Sequence, residues 1–261
     1  MLIRKEQLHM HEYDLIAPFY DIEHQQFNED LELYHNFAEL CHGPLLELGC
    51  GSGRLLIPLA QEGYTITGVD TSDKMLALAR ERAQQAKLSS RVTLVQQDIT
   101  TLQLSQKFSM AFVALGSFAH LTSRKIQQQA LAAIRKHLTT GGIFILDISN
   151  ADARYMESLS GQLLHQGTWQ RDDGTLLTHL VSPASSETKH LLELTHFYDQ
   201  HQQGGPVNRT VITTHIYLFE RAEMELLLEQ AGFAIRDVYG DHELGPFTLE
   251  SQRMIFIAEA R

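Results

Sequence analysis

Glu47–Gly53 reads ELGCGSG and Tyr64–Asp70 reads YTITGVD, and these two stretches decide the fold. The first follows a short apolar run, LLEL from Leu45, and precedes RLLIPLAQEG, an apolar-periodic segment with Pro58 in its first turns, where a missing amide matters least. The second is an apolar run that ends on an acid. It is followed by TSDKMLALARERAQQA, a helical pattern with Thr71 or Ser72 as its cap. Strand, glycine turn, helix, strand, acid, helix is the opening of a parallel α/β sheet.

The alternation continues outward. VTLVQQD from Val92 and FSMAFVA from Phe108 predict strands three and four, and the helix predicted from Arg124 to Leu138 carries Ile126, Ala130, Ile134 and Leu138 on one stripe. IFILDIS is the fifth strand, expected to start after Gly141 and Gly142. After Asn150 the texture changes: QLLHQGTWQ, TLLTHLV, KHLLELTHFYDQ and NRTVITTHIYLF are separated by turn material and predict an antiparallel insertion. EMELLLEQAGF then predicts a helix closed by Gly232, and AIRDVYG with RMIFIAEA a hairpin at the sheet edge. Upstream, a helix around Tyr13 to Tyr20 is expected to break near Pro18, and FNEDLELYHNFAEL to form a longer amphipathic one.

The fold expected is thus a Rossmann-like, seven-stranded mixed sheet with helices on both faces, plus an antiparallel β insertion acting as a lid. Residues 1–40 form a helical cover, 41–150 the ligand-binding core, 151–219 the insertion, and 220–261 the helix and hairpin that complete the core.

Composition narrows the function. Thirty-two acidic against twenty-one basic residues give a formal charge of −11, which disfavours nucleic acid and anionic membranes as partners. No apolar run is long enough to cross a bilayer, and MLIRKEQLHMHEYD lacks a secretory apolar segment, so a cytoplasmic protein is expected. Fourteen histidines are scattered, and no metal site is expected; Cys41 and Cys50 match no metal or redox spacing and are expected as free thiols.

The loops at the strand ends carry the chemistry. Gly49, Gly51 and Gly53 allow a sharp turn and close approach of the backbone to a ligand, and the following helix presents free amides. Asp70 can accept both hydroxyls of an adenosine ribose. The glycines do not follow the G-x-G-x-x-G spacing of dinucleotide sites. Glu47 would repel a pyrophosphate but attract an amino-acid ammonium. Asp98, or the amide of Ile99, can read the amino edge of adenine, or Asp98 is a solvated acid opening a loop. Met75 and Ile99 are walls for that base, with helix core as the other role open to Met75. Leu115, Gly116 and Ser117 lie at a strand's carboxyl end. His120, just beyond, suits a general base, or is structural like most histidines.

These segments resemble the class I S-adenosylmethionine-dependent methyltransferases, over residues 11–150 and again from Tyr217. ELGCGSG looks like the family's first motif, GVDTSDKMLALAR its ribose-binding strand and helix, QQDI its adenine segment, and LTTGGIFILD its fifth strand. The resemblance implies transfer of a methyl group from S-adenosylmethionine to a nitrogen or oxygen of a small-molecule acceptor, leaving S-adenosylhomocysteine. It implies that Glu47, Gly49, Cys50, Gly51 and Gly53 surround the methionine moiety, Asp70 the ribose, and Asp98 and Ile99 the adenine, with Leu115 nearby; Thr71 is a further cofactor-binding candidate. YDLIAPFYD resembles the aromatic cover of small-molecule members such as sugar N-methyltransferases. Tyr20 and Tyr13 then contact the sulfonium or shape the transfer path, with ordinary packing as the alternative for Tyr13. The closing GPFTLESQRMIFIAEAR is similar to the same group. The D/N-P-P-Y/F pattern of DNA-amino and protein-glutamine methyltransferases is missing after strand four.

In the insertion, Trp169, Phe197, Tyr198 and Arg209 are pocket candidates, or they pack the small sheet. A monomer or homodimer is expected. The rival functions are a non-catalytic S-adenosylmethionine-binding protein and, against the glycine spacing, a nicotinamide-dependent oxidoreductase.

Overall fold

The structure is a computed structural model that describes residues 9–24, 27–150, 158–171, 173–186, 188 and 190–261. Residues 1–8 of the expected cover and 151–157 at the start of the insertion lie outside the described residues. The chain divides into two compact units, one drawn from residues 1–27 and 152–218 and one from residues 28–151 and 219–261.

The second unit is built on a mixed sheet. Its strands are β1 (Leu45–Leu48), β2 (Ile66–Asp70), β3 (Val92–Gln96), β4 (Phe108–Val113), β5 (Leu138–Ser149), β10 (Phe233–Tyr239) and β11 (Arg253–Ala260). They lie in the order β10-β11-β5-β4-β1-β2-β3, a seven-stranded sheet. β1 to β5 run parallel, and β11 is antiparallel to both β5 and β10. The order reverses between β1 and β4, which opens a crevice at the carboxyl ends of those strands.

Side chains from the two faces build two halves of the core, because successive residues of a strand point opposite ways. Leu45, Ile66, Met110, Phe112, Ile145, Ile255 and Ile257 join one buried cluster with Leu33, Tyr34 and Ala38 of α2 (Leu31–Cys41) and Leu56, Leu59 and Ala60 of α3 (Leu56–Gln61). Tyr34 and Phe112 hold this contact with ring centroids 4.6 Å apart. Facing the other way, Phe144 packs on Phe233 at 5.2 Å, while α5 (Arg124–His137) buries Ala130, Leu131 and Ile134 and α6 (Arg221–Gln230) buries Met224, Leu227 and Leu228. Gly68 makes room on β2, since a Cβ there would collide with Leu56 and Cys50.

Helix α4 (Asp73–Gln85) starts where expected, and Ser72 is its cap: the Met75 N–H donates to Ser72 Oγ at 3.1 Å. β5 begins at Leu138, ahead of Gly141 and Gly142 rather than after them. The ladder to β4 skips between Phe108 and Met110, and Gly141 takes φ +76° in that irregularity. α2 begins at Leu31, so Phe27 precedes it. Asp30 stands at the N-cap but makes no cap hydrogen bond, because its carboxylate is engaged by Arg54.

The first unit is a four-stranded antiparallel sheet, β6 (Leu164–Gln170), β7 (Leu176–Ser185), β8 (Leu191–His201) and β9 (Asn208–Tyr217), in that order, together with α1 (His9–His24). α1 corrects the expected break: it runs through Pro18, whose ring is exposed and whose fixed φ suits a helix, at the loss of one amide bond. It groups with the insertion, whereas α2 belongs to the core. Phe19 stacks on Tyr198 at 4.2 Å, and Glu23 Oε1 lies 2.6 Å from His179 Nδ1. From there His179 Nε2 meets His196 Nδ1 at 3.0 Å, and His196 Nε2 meets Thr214 Oγ1 at 2.9 Å.

The four pocket candidates of the insertion do not converge. Strand alternation puts Phe197 and Arg209 on one face, where the guanidinium lies 5.1 Å from the ring centre and pairs with Asp199. Tyr198 and Trp169 are on the other; Tyr198 is sandwiched between Phe19 and His179, and the indole covers Gly167. Among the described residues, no helix is long and apolar enough to cross a membrane.

Candidate active site

The glycine turn leaves β1 at Leu48 and enters α3. Gly49, Gly51 and Gly53 take φ of +70°, +53° and +83°, the left-handed region that a Cβ disfavours. At Gly49 there is a second reason for glycine: a Cβ would sit 3.0 Å from Ser117 Cβ, in the loop after β4. Neighbouring strands brace the turn. The N–H groups of Gly49 and Cys50 donate to the Val69 carbonyl at 2.8 and 3.1 Å, and Arg82 of α4 donates to Ser52 Oγ at 3.0 Å. Cys50 is buried against Gly68, and burial together with the charges of Glu47 and Asp70 pushes its thiol well up. Its side chain therefore packs the turn as a neutral thiol.

Asp70 ends β2 and faces the same turn. Its Oδ2 accepts from the Gly51 N–H at 2.8 Å and its Oδ1 from the Ser72 N–H at 2.9 Å. The position is half-buried, and a carboxylate there is the acceptor type that ribose hydroxyls require. Thr71 beside it is half-buried, and its carbonyl accepts from Gln96 Nε2 at 3.1 Å.

Glu47 is 4% exposed, and its carboxyl is pushed up to about 8 by burial, against the opposing pull of Arg54. Its Oε2 is buried with no hydrogen-bond partner. Arg54 is largely committed elsewhere, through two bonds of 2.6 Å to the two oxygens of the fully buried Asp30. Tyr34 Oη is also buried without a partner, and burial with the charges of Asp147 and Asp30 holds the phenol well above its usual value. A buried acid with an open acceptor atom at the mouth of a glycine turn fits a ligand that brings an ammonium group. It does not fit a phosphate.

Asp98 follows β3. It is exposed, and its Oδ1 accepts from the Thr100 N–H and hydroxyl, each at 2.7 Å, capping the short turn Ile99–Thr101. The carboxylate is thus turned toward its own loop. Ile99 is half-buried, and Met75 is 2% exposed, within the core. After β4, Leu115 and Gly116 lead into the single turn Ser117–His120, which ends on a half-buried His120. Tyr13 and Tyr20 lie on α1 in the first unit; Tyr20 stacks on His24 at 4.1 Å.

The second unit therefore brings Glu47, the three glycines, Asp70 and the β4 turn to one set of strand ends. Sequence reasoning missed Asp30, Tyr34, Arg82, Asp147, His242 and Arg253. Their partners are distant in the chain, so no local period or motif marks them. Arg54, directly after the glycine turn, was the one cue to a buried acid nearby.

A doubly wound sheet with a non-dinucleotide glycine turn, an acid ending β2 and a buried acid beside the turn is an arrangement that suits a nucleoside ligand carrying a cationic amino acid. Residues 45–142 match the family model described as methyltransferase domain. The matched segment, under half of the chain, is thus similar to a methyltransferase domain, and the sheet that carries it is Rossmann-like.

Relatives extend this comparison. The chain is similar to the dTDP-3-amino-3,6-dideoxy-alpha-D-glucopyranose N,N-dimethyltransferase of Streptomyces fradiae, 28% identical over 240 residues that cover 86% of each chain. It is 35% identical over 123 residues to glycine N-methyltransferase of Rattus norvegicus, covering 43% of this chain and 42% of that one. With some relatives the likeness spans well under half of their length, as with a Geobacillus chain covered over 41%. The fold is that of an S-adenosylmethionine-dependent methyltransferase from Clostridium acetobutylicum, with a TM-score of 0.77 at 19% identity, covering 95% of this chain and 98% of that one.

Proposed function

We propose that the chain N-methylates a small polar amine, an amino sugar being the acceptor class favoured. The observation that carries the donor side is the buried Glu47 Oε2 without a partner. Support for the acceptor is the Streptomyces fradiae relative, whose likeness runs through the insertion as well as the core.

In this proposal Glu47 receives the donor's ammonium, and Gly49, Cys50, Gly51 and Gly53 pass their backbone along its methionine moiety. Asp70 and Thr71 take the ribose, Asp98, Ile99 and Met75 the adenine, and Leu115 the far wall. S-adenosylmethionine supplies a methyl group already activated by its positive sulfur, so the protein's task is alignment and exclusion of water. His120 accepts the proton that the nitrogen sheds, and Tyr20 and Tyr13 shape the transfer path. Acceptor specificity is assigned to the inserted sheet. The same proposal makes the protein cytoplasmic, a monomer or homodimer, and indifferent to nucleic acid.

The test is methyl transfer from labelled S-adenosylmethionine to a panel of nucleotide-linked amino sugars, free amino acids and phenols. Turnover confined to the amines supports the proposal, and turnover confined to phenols overturns it. His120→Gln is expected to lower the transfer rate by about a hundredfold while leaving donor affinity within a few fold; an unaltered rate across pH removes His120 from the chemistry.

A further inference from the structure

Two consecutive residues after β4, Leu115 at φ +47° and Gly116 at φ +79°, are left-handed. Glycine takes this conformation freely. Leucine does not, since its Cβ crowds the following carbonyl, and such a residue persists only where its surroundings fix it. One residue fixes it twice: the Leu115 N–H donates to Asp147 Oδ2 at 3.1 Å, and the Gly116 N–H donates to the Asp147 main-chain carbonyl at 2.9 Å.

Asp147 lies near the carboxyl end of β5, fully buried, and is gripped from its far side. Arg253 Nε, at the start of β11, donates to its Oδ1, and His242 Nε2, in the loop after β10, lies 3.2 Å from its Oδ2. Burial alone would raise this carboxyl. The bonds from His242 and Arg253 and the charge of Arg253 outweigh burial and hold it below the usual carboxylate range. The turn is secured again at its other end, where Gln127 Nε2 donates to the Leu121 carbonyl at 2.7 Å. Between these anchors Ser117 stands against Gly49 of the glycine turn.

We infer that Asp147 is a positioning residue: clamped by His242 and Arg253, it holds the Leu115–His120 turn in the left-handed form that borders the donor-binding glycine turn. A buried ion pair kept for stability alone is commonly matched by apolar residues of similar size. Here the carboxylate and its own backbone are both aimed at the one strained turn. The inference rests on the proposal that this turn lines the donor site.

The test uses the full chain and two readouts, hydrogen exchange of the peptide spanning residues 114–121 and calorimetric affinity for S-adenosylhomocysteine. Asp147→Asn is expected to speed exchange there and to weaken affinity about tenfold; in a Leu115→Gly background, where the turn no longer needs holding, its effect shrinks to within about twofold. Should Asp147→Asn fail to fold, His242→Phe removes one grip while leaving the ion pair to Arg253, and the same two readouts apply.

Unchanged exchange overturns the clamp, as does an equal loss of affinity in both backgrounds. A fall in thermal stability alone makes Asp147 merely structural. Faster exchange with affinity intact overturns the inference from the other side, because it removes the turn from the donor site while leaving the clamp real.

Discussion

Glu47 is a carboxyl that the folded chain prefers to keep protonated. Its value of about 8 stands above the ordinary 4.5, so between those two pH values the folded state binds a proton that the unfolded chain has lost. That preference is fully present below pH 4.5 and is lost as pH rises through 8, so the ligand-free protein weakens across this window. Glu47→Gln is expected to flatten the trend in urea unfolding followed from pH 5 to 8.5. An ammonium beside Glu47 favours the ionised form instead. Binding of S-adenosylmethionine at pH 7 should then release close to one proton, read as a dependence of calorimetric heat on buffer ionisation enthalpy; Glu47→Gln should abolish the release and weaken binding at least tenfold. Equal heats in all buffers for the unmodified chain would remove Glu47 from the ammonium site. Asp70→Ala is expected to cost about 1–3 kcal/mol of stability, because the Gly51 and Ser72 amides lose their acceptor, and to weaken donor affinity further.

Among the elements, α1 and the inserted sheet share an ionisable interior. Glu23 and His179 have side chains only 10% and 9% exposed, and Tyr198, stacked on His179, has its phenol pushed well up by burial and by Glu23. Removing one partner of a buried pair leaves the other unpaired. His179→Leu is therefore expected to destabilise the fold by about 3 kcal/mol. An unchanged urea midpoint would mean that Glu23 is solvated in solution. The strands of this sheet were legible in the sequence, because turn residues separate runs that alternate. What their side chains do was not, since Phe197 and Tyr198 are adjacent in sequence and sit on opposite faces. α1 was misjudged at Pro18 because a proline signals a lost bond, while the packing of Phe19 and Glu23 that outweighs the loss is tertiary. In the core the legible part was large. Glycines, capping serine and strand-ending acids are local devices, and Gly49, Ser72 and Asp70 stand where the pattern put them. Asp30 with Arg54, and Asp147 with Arg253, were invisible because each pair joins segments far apart in the chain.

The whole molecule carries a formal charge of −11, and that sets its encounters. Double-stranded DNA is expected to leave its mobility unchanged at low salt, where any electrostatic attraction would be strongest; a retarded band there would call for a hidden basic face. S-adenosylhomocysteine should stabilise the protein by mass action, by about 2.7 kcal/mol at a hundred times its dissociation constant, visible as a concentration-dependent rise in thermal midpoint. One feature of the sheet bears on how this molecule is made. β11 inserts between β5 and β10, so the hydrogen-bonding edge of β5 over Phe144, Ile145 and Leu146 stays bare until Arg253–Ala260 has been translated and delivered. A nascent chain halted between β5 and β11 displays an apolar, unpaired ribbon of the sort that recruits other chains. Synthesis of this protein is therefore a race between delivery of one strand and aggregation, and chaperone demand should peak in the interval before that strand emerges.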